Sequence, residues 1–428
     1  MASTSDRSVI TCDLEGRIET FSPGAEAVFG YRADEVVGKA RVSLFSPGLV
    51  VLGHVNAWLA GARAHGEHRT RTVFVTKDGA RFPAEIRITP TYERGPDREK
   101  IHVGYCGVTT PLPDVDLADA MPPISLGTRI LRWLVVTRAP FLTAVLAPVL
   151  IAGAWVAATS PGPFPWAAFA LAFLGAAALH VAANVFNDYF DWRAGVDQAN
   201  TEYFLPFSGG SRALELGLVS ERGLLAIGIG ALLLAALAAI PLLAHAGPGL
   251  LLFGAVGAAL GYFYTAPPVR LVARRGLGEL AILLAFGPLL TAGTVFALTG
   301  HVALADFLIG LPIGILTTAI LWINEIPDAP SDAATGKMNL VVVLGRERAR
   351  WGYIALLVTA FACLVAGVAA GLAPAGALLG LLALPLAARA VQILTRHLHD
   401  RRLVRANALT IQLHLVAGVA MAVGIALV

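Results

Sequence analysis

Charge is what this chain has least of. Only 14% of its 428 residues are Asp, Glu, Lys or Arg, against about 25% in an ordinary soluble protein. The formal net charge of +3 is too small for a protein that neutralises a nucleic-acid backbone, so a nucleic-acid partner is excluded. Lysine is almost absent after residue 100, where Lys337 stands alone. The three cysteines, Cys12, Cys106 and Cys363, are too dispersed for a zinc site or a disulfide framework. No apolar run of spanning length occurs before about residue 139, so no secretory leader is expected. What fills the space is hydrocarbon: 56% of the residues are hydrophobic and the mean hydropathy is +0.70. Most of the chain is therefore expected in a lipid bilayer.

Residues 1–113 read differently. "VITCDLEGRIETF" predicts two strands around a turn at Glu15-Gly16, "GAEAVFGYRADEVVGKA" two short helices, "RTRTVFVTKDGARFPAEIRITP" a hairpin closed around Lys77-Asp78-Gly79, and "IHVGYCGVTT" a last strand. Residues 114–136, with "TPLPDVDLADAMPPIS" at their head, read as a linker and amphipathic lead-in. From 137 to 428 the chain is a succession of apolar runs: about 139–158, 164–187, 223–243, 247–265, 277–299, 302–324, 351–371, 373–395 and 406–428. Each has the length, or nearly so, to cross about 30 Å of hydrocarbon as a helix. Lipid offers the backbone no other partner. The linkers after the second, fourth, sixth and eighth runs carry the arginines, and the short ones between carry none. The positive-inside rule then places the N-terminal domain and the charged linkers in the cytoplasm and the C-terminus outside.

The acids are not spread evenly. Of thirteen Asp and Glu after residue 125, six follow the second run (Asp188, Asp191, Asp197, Glu202, Glu215, Glu221) and four the sixth (Glu325, Asp328, Asp332, Glu347). Asn187 and Asp191 are four apart and Asp188 is three before Asp191, which puts them on one helix face; Asn324, Asp328 and Asp332 repeat the interval. Pro327 and Pro330 are expected to break regular helix there. Asp306, on the opposite side of the membrane, is expected to be solvated, and Glu279 to sit in a helical first turn favoured by the dipole. Clustered carboxylates without His or Cys suit magnesium or calcium rather than zinc or copper. Magnesium in turn accepts one or two carboxylates together with substrate phosphates. Two facing clusters of this kind would hold a diphosphate at the membrane surface.

Two resemblances attach to these motifs. "DLEGRIETFSPGAEAVFGYRADEVVGK" and "KDGARFPAEI" resemble a PAS sensor domain in order and spacing, over about residues 7–111. "NDYFDWRAGVD" and "NEIPDAPSDAATGKMNLVVVLG" resemble the two Asp-rich motifs of the UbiA-type intramembrane prenyltransferases, over about residues 125–428. The resemblances imply an antiparallel α/β PAS fold with short helices, followed by an all-α bundle of nine transmembrane helices. "FSGGSRALELGLVS" and "YTAPPVRLVARRGLGEL" are similar to the branch that prenylates 1,4-dihydroxy-2-naphthoate in menaquinone synthesis. That branch usually has Arg just before the first Asp of the second motif; here it is Pro327. The implied reaction is Mg²⁺-dependent transfer of a polyprenyl group from its diphosphate to an aromatic acceptor, in the multi-pass membrane of a bacterial or archaeal cell. Metal ligands would be Asp188, Asp191, Asp197, Asp328 and Asp332. Asp191, Asp328, Asp332 and Lys337 would carry the chemistry, and Asn187, Asn324, Arg212, Tyr264, Arg270 and Arg274 would contact substrate. The PAS domain would bind a small ligand or a protein and regulate the enzyme. The alternatives are another aromatic or lipid acceptor, and a non-catalytic membrane sensor. A sensor predicts decayed acid motifs, and these are largely intact.

Overall fold

The structure, a computed structural model, is described over residues 7–94, 99–200 and 210–427. Glu202 and the beginning of "FSGGSRALELGLVS" lie outside the described residues. The chain divides into two units. One comprises residues 1–136 together with 212–220, and the other comprises 137–211 and 221–428.

The first unit is built on a five-stranded antiparallel sheet of β1 (Ser8–Asp13), β2 (Ile18–Phe21), β3 (His68–Val75), β4 (Arg81–Arg94) and β5 (Lys100–Pro111), in the order β2-β1-β5-β4-β3. Alternation sets its faces: Ser8, Ile10 and Cys12 of β1 point inward. The expected helices are Pro23–Phe29 and Ala33–Val36. Ser22 caps the first by accepting from the Ala25 amide at 3.1 Å, and Gly30 ends it at a φ of 76° that a side chain would resist. That helix delivers Phe29 onto Phe45, ring centroids 4.4 Å apart. Burial pushes the Cys12 thiol up to about 12, so Cys12 is a packing residue and not a reactive thiolate. The segment 212–220 packs into this unit with Ala213, Leu216 and Leu218 buried. A Cβ at Gly48 would lie 2.1 Å from the Leu216 carbonyl oxygen, so only glycine permits the approach.

The second unit is all helix. Eight of its helices are long and apolar enough to cross a membrane: Ala139–Thr159, Trp166–Arg193, Glu221–Ala246, Leu277–Thr299, Leu304–Ala334, Arg346–Ala369, Ala375–Arg396 and Arg401–Ala426. The run expected over 247–265 forms a shorter helix, Leu250–Phe263. Two helices run far past the C-terminal ends of their apolar segments. Trp166–Arg193 continues six residues past the run that predicted it, and Leu304–Ala334 ten. The inner acids therefore stand on helical extensions and not on linkers. Asp306 is not solvated: it is buried, accepting from the Trp155 indole at 2.7 Å and from the Ala303 amide at 2.7 Å. Glu279 does lie in a helical first turn, but it is buried and its carboxylate receives the Leu340 amide at 2.6 Å.

The prolines do not break the second extension. Helix Leu311–Ala334 runs through Pro327 and Pro330. A proline has no N–H for the carbonyl four residues back, so the carbonyls of Ile323 and Ile326 lose their helical donors. Both are answered by side chains from other helices. Asn407 donates to the Ile323 oxygen at 3.2 Å. The Arg346 guanidinium donates to the Ile326 oxygen at 2.8 Å and to the Pro327 oxygen at 2.7 Å. A buried carbonyl is costly only while unpaired, and here the pairing is supplied. Arg346→Ala is expected to lower the stability of the purified full-length protein by about 2–4 kcal/mol. Thermal unfolding would show it, with Arg346→Lys recovering only part because it lacks the two-pronged fork.

Candidate active site

A cavity of about 740 Å³ runs through the second unit. Helix Trp166–Arg193 presents His180, Asn184, Asn187 and Asp191 to it, at intervals of four, three and four that form one helical stripe. Helix Leu311–Ala334 presents Asn324, Glu325, Asp328 and Asp332. The remaining wall is mostly apolar and partly bare. Gly254, Gly257 and Gly261 of the short helix line it. A Cβ at Gly261 would come within 3.0 Å of the Ala183 methyl, and one at Gly257 within 3.2 Å of Leu179.

The two acidic stripes meet. Lys337 stands between them, its ammonium 3.5 Å from Asp191 and 3.8 Å from Asp332. Burial works against that charge, but Asp191 and Asp332 outweigh it and hold the ammonium well above its usual range. Asn200, beyond the first motif, donates to Asp328 of the second at 2.8 Å. Asp332 also accepts from the Asn339 amide at 2.9 Å. Asp188 faces away from the cavity lining. One of its oxygens takes the Ser211 amide at 3.3 Å and lies 3.5 Å from Arg138, and the other is buried without a hydrogen-bond partner among the described residues. Gly210, at a φ of 75°, sits where a Cβ would be 3.1 Å from Asp197 and 3.2 Å from Asp188. Asp188 and Asp197 thus flank the same glycine.

The remaining expected residues divide. Tyr264 lines the cavity, its hydroxyl buried without a partner among the described residues. Arg270 and Arg274 do not line it. Arg274 spends its guanidinium on its own loop, donating to the Val269 carbonyl at 2.9 Å and the Pro268 carbonyl at 3.3 Å. Arg212 belongs to the first unit and pairs with Glu215 at 2.7 Å. Sequence reasoning missed Arg138, His180, Asn184 and Asn200. The interval from His180 and Asn184 to Asn187 and Asp191 was visible in the sequence. Glu325 was seen only as one of the acids. It is buried in the cavity wall, and neither of its carboxylate oxygens has a hydrogen-bond partner among the described residues.

Among the described residues no three His, Cys, Asp or Glu converge into a ready-made ligand cage. Instead, the carboxylates Asp191, Glu325, Asp328 and Asp332 of two helices face one cavity, and neither Glu325 oxygen has a hydrogen-bond partner among the described residues. This fits Mg²⁺, which completes its shell with water and phosphate oxygens.

Residues 145–421 match the UbiA prenyltransferase family, and residues 6–106 match a PAS domain. The chain is 32% identical over 262 residues to the 1,4-dihydroxy-2-naphthoate octaprenyltransferase of Mycobacterium tuberculosis, a match covering 60% of this chain and 84% of the relative. It is 28% identical over 305 residues to the 2-carboxy-1,4-naphthoquinone phytyltransferase of Synechocystis, covering 71% and 95%. A UbiA homologue from Aeropyrum pernix shares the fold at 20% identity and a TM-score of 0.53, covering 66% of this chain and 97% of that one. The class is that of multi-pass membrane transferases. Within it, the chain belongs to the UbiA prenyltransferase family, with a PAS domain at its N-terminal end.

The polarity of Asn324 follows from its neighbour. Asn407 faces the Ile323 carbonyl, which only accepts, so the atom there is the Asn407 amide nitrogen. The same nitrogen lies 2.7 Å from Asn324, so it meets the Asn324 carbonyl oxygen. With that oxygen engaged by Asn407, Asn324 is expected to offer an anion in the cavity its NH₂. Asn324→Asp is therefore expected to weaken pyrophosphate binding at least about tenfold. Calorimetry on the full-length protein would measure it. Retained or tighter binding would mark Asn324 as a metal ligand.

Proposed function

We propose that the protein transfers a polyprenyl group from polyprenyl diphosphate to 1,4-dihydroxy-2-naphthoate. The observation that carries the reading is the meeting of two acidic helix stripes, bridged by Lys337, at a polar region of an otherwise apolar cavity. The prenyl chain suits the apolar wall, and the diphosphate suits the acids through the cation they would hold. Both naphthalene-type relatives, by their names, support the acceptor.

Asp191, Asp328 and Asp332 would hold Mg²⁺, with Asp188 and Asp197 behind them and Asn187 beside Asp191. Bound there, Mg²⁺ supplies Lewis-acid neutralisation of the leaving diphosphate. Lys337 adds a fixed positive charge, and the Asn324 NH₂ adds a hydrogen bond to a diphosphate oxygen. The allylic C–O bond breaks and diphosphate departs with the electron pair. The largely apolar cavity keeps water from the allylic cation. The electron-rich acceptor ring then forms the C–C bond, and the ring carboxyl leaves as CO₂. Tyr264, His180, Asn184 and Arg138 are the polar groups left to orient the acceptor. The nine-helix bundle counts the short Leu250–Phe263 helix as its fourth span. In this reading the PAS domain and the acidic motifs face the cytoplasm of a bacterial or archaeal cell, and the C-terminus lies outside. Asp191→Asn and Asp328→Asn are each expected to lower transfer from radiolabelled prenyl diphosphate in Mg²⁺-containing membranes by about 100-fold or more. Retention of most activity in both would remove the metal assignment.

The PAS domain would regulate the transfer through segment 212–220, which follows the first acidic motif in the chain and is buried in the PAS-containing unit. Gly48→Val places a side chain against the Leu216 carbonyl. It is expected to raise hydrogen exchange across 212–220 and to shift the prenyl-transfer rate. Faster exchange with an unchanged rate, under air and under reductant, would count against gating.

A further inference from the structure

One cluster of arginines in the membrane unit does not line the cavity. Helix Leu384–Arg396 carries Arg389, Gln392 and Arg396 at intervals of three and four, along one face. The chain turns at His397, and Arg402 and Arg405 follow at the start of the last span. These side chains, the four arginines among them exposed, line a separate hollow of about 100 Å³.

Countercharge is scarce there. Two acids lie near it and both are engaged: Asp400 pairs with His397 at 2.7 Å and takes the Arg402 backbone amide at 2.7 Å, and Glu347 pairs with His399 at 2.7 Å and Arg350 at 3.4 Å. Arg389 is satisfied by the neutral Gln392. Arg396 and Arg405 have no carboxylate partner among the described residues. The positive-inside rule explains cations near a membrane surface, but not why four guanidiniums line one hollow. Long arginine side chains free to separate would do so. Convergence is favourable when an anion sits between them, and the planar guanidinium fork matches phosphate oxygens.

We propose that this hollow binds the phosphate of an anionic phospholipid headgroup. Its position favours a lipid over a soluble anion: it lies at the junction of two membrane spans, and Leu382 and Leu384, exposed at 66% and 45%, leave an apolar surface on the same span for acyl chains. The proposal does not depend on the transferase reading.

The test uses full-length protein in neutral detergent, with thermal unfolding as readout. Phosphatidylglycerol is expected to raise the midpoint by about 5 °C, and phosphatidylcholine of the same chains to leave it unchanged. The Arg396→Gln/Arg405→Gln double variant should lose the gain while keeping the midpoint of the lipid-free protein. Arg222→Gln/Arg348→Gln, two exposed arginines of other linkers, should keep the gain in full. An equal loss in that control, or an undiminished gain in the double variant, would overturn the site. A gain from millimolar inorganic phosphate that the Arg396→Gln/Arg405→Gln variant loses would overturn the lipid assignment.

Discussion

A carbonyl in hydrocarbon that loses its helical donor has no water to turn to, and Pro327 and Pro330 create two such carbonyls beside the second acidic motif. Asn407 and Arg346, from helices remote in sequence, close that gap. Because they do, the helix keeps its winding, and Asn324, Asp328 and Asp332 remain on one face at four-residue intervals. Were the helix to unravel at Pro327, Asp332 would leave the stripe and its place beside Lys337. Asn407 serves twice, since the same amide nitrogen fixes which end of Asn324 meets the cavity. The geometry of the motif is thus held by partners outside the motif.

The second dependency is electrostatic. Carboxylates gathered in a space with little water repel one another, and burying an unpaired charge is expensive. The protein offsets part of this with one ammonium, Lys337, between Asp191 and Asp332, and with the amides of Asn200 and Asn339 on Asp328 and Asp332. The offset is incomplete. Asp188 keeps one oxygen unpaired and Glu325 keeps two among the described residues. Folding alone would favour hydrophobic residues at such places. Their presence agrees with a site whose balance is completed by what binds there.

Much of this was legible in the residues. Alternation and turn residues gave the order of strands and short helices in the N-terminal unit, and the intervals of Asn187, Asp188 and Asp191 gave a shared helix face. Pro327 misled because the rule that proline ends a helix presumes that nothing else supplies the missing donor. Arg346 and Asn407 lie nineteen and eighty residues further on, and no local pattern announces them. Asp306 was read as solvated because its partner, Trp155, is on another helix. Arg274 pairs with carbonyls of its own loop, a geometry that charge counting does not reveal. For Pro327 and Asp306 the deciding contact joins residues whose relation is set by folding in three dimensions.

The glycines along the short helix Leu250–Phe263 carry a consequence for the breadth of possible substrates. Where Gly257 and Gly261 form the wall, the bore is already set by main chain alone, with Leu179 and Ala183 pressed close behind. Every replacement at those places adds atoms against Leu179 or Ala183, since no residue is smaller. A side chain there takes its room from that helix–helix contact, so in the proposed reading the shape of the passage beside the short helix is tied to glycine at both positions.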